Sequence, residues 1–194
     1  MKSKRTKLLL LGLIVSGFGA AVASAGNGST ETDVSEQSIA GYHNVALNRG
    51  GDYPKASASN EYNPLFFGAH NVINGQSANK GHGKKYPSWG PHKRDDLWLK
   101  IEFGKPVAVD KAVVYIRADF TPYTNEDHDS YWKSGVLEFS DGSKIPFELK
   151  RTDAPQTIVF SKRKVSWVKF TSLVPDEDKW CGFTEVQFWG NQSQ

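Results

Sequence analysis

Leu97-Trp98-Leu99-Lys100-Ile101-Glu102-Phe103 decides the fold class. Leu97, Leu99, Ile101 and Phe103 fall at every second residue, with Trp98, Lys100 and Glu102 between them. A period of two belongs to a strand, whereas a helix repeats near 3.6. The rhythm returns downstream. Val113-Val114-Tyr115-Ile116 is β-branched and aromatic. Val136 to Ser140 reads as a short strand, and Asp141-Gly142 as the hairpin turn into Lys144 to Leu149. Thr157 to Phe160 is short and apolar, and Val165 to Leu173 alternates. In Phe183 to Trp189, Thr184, Val186 and Phe188 take one face, and Phe183, Glu185, Gln187 and Trp189 the other. No long stretch carries a helical stripe. Short strands punctuated by Gly, Pro and Asp predict an all-β fold, an antiparallel sandwich or barrel.

The chain has 194 residues, with 24 Lys and Arg against 21 Asp and Glu, a formal charge of +3, and one Cys. A single Cys excludes a disulfide framework and a Cys-rich zinc site. The basic balance invites a nucleic-acid reading until its location is considered. Lys2, Lys4, Arg5 and Lys7 precede an apolar run, Leu8 to Val15, and a small-residue stretch that includes Ala23-Ser24-Ala25. These are the three parts of a secretory signal peptide, expected to be cut after Ala25. The apolar run is short for a membrane span, and an uncleaved anchor is the alternative. After cleavage 20 basic residues face 21 acidic ones, a balance of −1. No nucleic-acid partner is then expected, and no membrane insertion. The expected location is secreted, periplasmic or extracellular. Residues 26–41 are small, polar and acidic and read as a flexible tether. The expected domain is 42–190, followed by a tail at 191–194, and a monomer is expected.

Several motifs occur in a telling order. Asn44-Val45-Ala46-Leu47-Asn48 comes first, then Ala69-His70-Asn71-Val72-Ile73-Asn74-Gly75, then Ser88-Trp89-Gly90. Asp96 to Gly104, Val109 to Tyr115 and Leu137 to Gly142 follow, and Phe183 to Gly190 closes the series. In this order the chain resembles the coagulation factor V/VIII type C (discoidin) domain and, within that galactose-binding-like group, the family 32 carbohydrate-binding modules. The resemblance implies an eight-stranded antiparallel jelly-roll β-sandwich that binds a ligand at its loop end and performs no catalysis. It also implies a structural calcium ion. Its ligands would be the backbone carbonyl of Asn71, the side chains of Asn74, Gln76 and Asn79, and the carbonyl and side chain of Thr184 and Glu185. Calcium wants six to eight hard oxygens, and Glu185 is the one carboxylate among these. The alternative is that Asn74-Gly75 is a tight turn, with Glu185 bonded to loop amides or a Lys.

Sugar rings stack their C–H faces on aromatic rings, while their hydroxyls pair with forked polar groups. The segment 117–132 supplies Arg117, Asp119, His128, Asp129, Tyr131 and Trp132. The loop near residue 90 adds His92 and Arg94, and Trp180 approaches from the far end of the chain. Trp132→Ala and Arg117→Ala are expected to abolish binding without unfolding. Trp89, Trp98 and Trp167 are expected in the core. Lys162-Arg163-Lys164 reads as a turn kept soluble by its charge. The expected partner is a carbohydrate or a cell-envelope polysaccharide. An adhesion or protein-interaction module on the same fold is the second reading. A glycan-active hydrolase is the third, although Gly-x-Ser-x-Gly, His-Glu-x-x-His and the P-loop are all missing from the sequence.

Overall fold

The alternating stretches form strands, and two of these are longer than the sequence rhythm implies. The computed structural model describes residues 41–78, 87–117, 122–123, 126–127 and 129–192. The expected signal peptide, and the tether up to residue 40, lie outside the described residues. The strands are β1 His43–Asn44, β2 Lys55–Ala58, β3 Leu99–Ile116, β4 Pro122–Tyr123, β5 Glu126–Asp127, β6 Trp132–Phe139, β7 Lys144–Glu148, β8 Gln156–Pro175 and β9 Phe183–Gln192. One short helix, α1 Pro64–Phe67, and a 3-10 turn at Ala69–Ile73 complete the described elements. β9 takes in Asn191 and Gln192, the first two residues of the expected tail.

One antiparallel sheet has the order β1-β9-β3-β8-β6-β7, with β2 also on β3, and β4 and β5 form a separate ribbon. The two apolar runs at 97–103 and 113–116 fall largely in the single strand β3. Between them the register shifts from Glu102 to Val107, around the exposed Gly104, Lys105 and Pro106. Pro106 has no N–H for the ladder, so the strand bends there. Before the bend β3 pairs with β2 and β8, and after it with β9 and β8. The sheet thereby folds over its own apolar side into a sandwich. The Asp141-Gly142 hairpin forms as expected, with Gly142 at φ 85°, a conformation glycine adopts without strain.

Three expectations are corrected by packing. Lys162-Arg163-Lys164 is part of β8, with Arg163 opposite Val109 and Lys164 opposite Ala108. The Arg163 guanidinium lies 4.5 Å from the Phe139 ring centre and 5.4 Å from that of Phe160, and it donates to Ser143 Oγ. Packing on rings thus holds in a strand what charge alone suggested was a turn. Trp98 and Trp167 are half-buried on the outer face, because Leu99, Ile101, Val168 and Phe170 take the inner one. Lysines cover both rings, Lys169 over Trp98 at 4.8 Å and Lys100 over Trp167 at 5.2 Å. Finally, Phe183 does not share a face with Glu185. A register shift between Tyr115 and Ile116 sets Phe183 opposite Ile116, and its ring meets Trp89, Trp132 and Phe170 in the core.

The interior is ring-rich. Phe103 meets Phe188 edge-on, and Phe147 meets Phe170 the same way, at centroid distances of 6.0 and 5.7 Å. Each such side chain buried contributes about 1.5–3 kcal/mol.

Candidate functional site

The loops between strands meet at the end of the sandwich where β9 begins. Trp89 sits at their centre, fully buried as expected. Its backbone exchanges two hydrogen bonds with Phe183, at 2.9 and 3.1 Å, and its indole N–H donates to the Asn60 carbonyl. Trp132 stacks on it at 5.0 Å and 26°. Trp132 is 2% exposed, so its ring is the inner wall of the site and not a stacking platform. That corrects its expected role: as the first residue of β6 it falls on the inward face.

Arg117 and Asp129 are corrected in the same way. They form a buried ion pair at 2.8 Å, 4% and 1% exposed. Around this pair the loops are pinned together. The Arg117 N–H donates to the Gly182 carbonyl, Ser130 N–H donates to the Trp180 carbonyl, and Asp129 bridges to Trp180. The Arg117 guanidinium also lies 5.8 Å from the Phe67 ring centre. Both residues position the site from below. Asp119 and His128 lie outside the described residues. Tyr131 is half-buried and packs on the core.

Above this foundation lies a platform that the sequence reading missed. Tyr62 is 53% exposed, and its N–H donates to the Gly90 carbonyl. Its ring meets Trp180 edge-on at 5.0 Å and His92 at 5.1 Å. Asn60 fixes the histidine. The His92 backbone N–H donates to Asn60 Oδ1 at 2.8 Å, and His92 Nδ1 lies 2.9 Å from the same oxygen. An oxygen accepts, so the neutral ring carries its proton on Nδ1 and leaves Nε2 as an acceptor. Of the expected residues, the structure therefore brings His92 and Trp180 together, with Tyr62 between them. The signal available in the sequence was an aromatic residue inside the polar turn Asn60-Glu61-Tyr62-Asn63, just before Pro64 opens α1 with Asn63 as its cap.

A pocket of about 190 Å³ lies beside the platform, between the 91–97 and 175–181 loops. Arg94 reaches it but holds Asp96 in a forked pair, at 2.7 and 2.6 Å. Lys93 is paired with Asp178, and Lys179 with Glu177. The pocket rim is thus neutralised by its own acids. Cys181 lines it with a thiol pushed up to about 12 by burial, so it acts as an apolar group.

A model of a family described as a domain of unknown function, DUF7402, matches residues 54–189. The chain belongs to the DUF7402 family. No curated protein matches it. Solved structures resemble the DUF7402 fold at low identity. Chitosan-binding module 1 of a chitosanase/glucanase from Paenibacillus sp. IK-5 superposes with a TM-score of 0.56, at 19% identity over 76% of this chain and 99% of that one. The family 32 carbohydrate-binding module of NanJ from C. perfringens, solved with galactose, gives 0.53 at 14% identity over 70% and 92%. The lectin domain of lectinolysin, solved with Lewis B antigen, gives 0.55 at 17% identity over 78% and 98%. The fold is therefore the galactose-binding-like, discoidin jelly roll that the ordered motifs implied.

In this DUF7402 domain the expected calcium ligands within the described residues gather around the Asn74-Gly75 turn and the start of β9. Asn71 turns its amide inward, donating to the carbonyls of Phe66 and Ser88. Asn74 Oδ1 accepts from the Gln76 N–H, and Thr184 donates its hydroxyl to the Tyr115 carbonyl. Asn79 lies outside the described residues. Glu185 is fully buried, with Oε2 accepting from the Gly75 N–H at 3.1 Å, and the Asn74 N–H also bonds this carboxyl. Oε1 has no partner among the described residues. Burial pushes this carboxyl up to about 8. A calcium cage needs several convergent oxygens, whereas here two N–H donors face one carboxyl. The side chains of Asn71, Asn74 and Thr184 are thus taken within the fold, while the expected set also counts the Asn71 and Thr184 carbonyls and Asn79. The amides of Asn74 and Gly75 form a tight turn bonded to Glu185.

Proposed function

We propose that the domain is a non-catalytic carbohydrate-binding module whose site is the Tyr62–Trp180–His92 platform. The exposed Tyr62 ring carries this reading. It is held edge-on by Trp180, so a sugar can stack on it at little entropic cost. His92 Nε2 is the acceptor beside it, suited to a sugar hydroxyl. The three similar structures named above are binding modules or lectins, which supports the same reading without supplying a ligand. The test is a glycan array followed by calorimetry on the purified protein. Tyr62→Ala is expected to weaken the best ligand by about tenfold or more. It should move the melting temperature by about 2 °C or less, because the residue is a surface ring. Full affinity in Tyr62→Ala would place the site elsewhere.

Leu65 supports a second reading, contact with a protein or envelope surface. It is 76% exposed on α1, three residues from Tyr62. Leu65→Ser would then abolish retention on cell envelopes while leaving glycan affinity unchanged. Export belongs to the same proposal, and a mature protein beginning at Gly26 would establish it by N-terminal sequencing.

A further inference from the structure

A second groove lies away from the loop end, on the outer face of β9. From Phe183 to Trp189 is six residues, about 20 Å along a strand. Here Glu185, Gln187 and Trp189 face outward from the core residues Val186 and Phe188. The segment from Tyr42 to Pro54 runs along them as an arch, and the open groove between measures about 720 Å³. That volume is in the range of small-ligand sites.

The arch is braced from within. Asn44 Oδ1 accepts from the Ala46 and Phe188 N–H groups, anchoring the arch to β9. The Asn48 amide donates to the carbonyls of Gly51 and Pro54, and its oxygen accepts from the Gly50 N–H. Tyr53 is 55% exposed, yet its base is seated against Gly104. A Cβ at Gly104 would lie 2.5 Å from Tyr53 Cγ, and the glycine holds φ 77°. A braced arch costs a ligand little ordering.

The lining is recognition chemistry. Tyr42, Tyr53 and Trp189 supply rings. Arg49 stands on the arch and makes no ion pair or hydrogen bond with the described residues. Glu185 lies beneath the groove, fully buried. Lys111 lies over both Tyr42, at 5.4 Å, and Trp189, at 4.8 Å. Among the acids nearby, Asp110 is taken by the Tyr42 hydroxyl at 2.6 Å, and Asp52 is exposed on the arch. His43 bonds the Gly41 carbonyl through Nδ1. A guanidinium on the wall of a groove that also holds rings can take a carboxylate in a forked pair while a flat ring stacks.

We propose that this groove is a second binding site, for a saccharide bearing a carboxylate, with Arg49 on the carboxylate and Tyr53 against the sugar ring. It is independent of the loop-end platform. The probe is trigalacturonic acid, titrated by calorimetry into the purified full chain, with its methyl ester as the uncharged counterpart. The acid is expected to bind, and the ester to bind about tenfold more weakly or not at all. Arg49→Gln should weaken the acid by about tenfold at an unchanged melting temperature, Tyr53→Phe should keep the affinity and Tyr53→Ala lower it, while Tyr62→Ala leaves it intact. No binding of the acid overturns the proposal, as does equal binding of the ester. Loss of acid binding in Tyr62→Ala, with retention in Arg49→Gln, would also overturn it and assign the acid to the loop-end site. Failure of the loop-end reading leaves all of these outcomes readable.

Discussion

Glu185 is the residue whose setting has the clearest solution consequence. Its carboxyl sits at about 8 when folded, against an ordinary 4.5, because burial penalises the anion more than the two turn amides favour it. Below about 4.5 both folded and unfolded forms hold the proton. Between these values the unfolded chain has lost its proton while the folded chain keeps it. This contribution to stability is therefore fully present below about 4.5 and lost as pH rises to about 8. Melting temperatures measured across that window should decline, and Glu185→Gln should remove that part of the decline. A parallel slope in both proteins would show that other groups set it. Trp132 makes the opposite point about position. Its burial between Trp89 and Phe183 means Trp132→Ala should cost about 3–5 kcal/mol of unfolding free energy. Chemical denaturation reads that directly, and a loss under 1 kcal/mol would contradict the packing. The expectation that this substitution spares the fold is therefore withdrawn.

Among the elements, most strand positions were legible because period two survives wherever one face is buried. The hairpin at Asp141-Gly142 was readable from its dipeptide alone. Strand length was not. β3 and β8 each join two apolar runs across a polar interruption, and only contacts such as Arg163 on Phe139 decide whether an interruption is a turn. Alternation also names a face without saying which one is inside, so it points Trp98 and Trp167 inward when their neighbours take that face. The loop site was half legible. His92 and Trp180 stood out as ring and imidazole, but Tyr62 is brought to them by long-range hydrogen bonds that no local pattern encodes. Arg117 and Asp129 looked like sugar contacts because a forked pair near rings reads the same whether it faces solvent or another loop. Asp129→Ala should therefore act on both properties. It leaves Arg117 buried and unpaired beside the Trp180 loop, at a cost of about 3–5 kcal/mol. Stability and glycan affinity should fall together. Lost affinity at unchanged stability would make Asp129 a direct ligand contact.

For the whole molecule, ring packing within the bent sheet is the main support, and the Glu185 carboxyl holds the turn at Asn74-Gly75 through its amides. The melting temperature should accordingly be the same in a chelator as in millimolar calcium. A rise of several degrees with calcium would restore a cage completed by residues such as Asn79.

The place of β9 in the sheet has a consequence for how the chain acquires its structure. This last strand lies between β1, the first, and β3, and Asn44 pairs with Trp189. Until Phe183–Gln192 has emerged, the edge of β3 from Val107 to Ile116 has no neighbour on that side, and β1 has none at all. Such pairing between distant parts of a chain closes late and slowly. A growing chain stays open until β9 has been made, and one cut short before Phe183 exposes a bare strand edge to its neighbours. The C-terminal strand is thus the clasp that converts a collapsed chain into the finished sandwich.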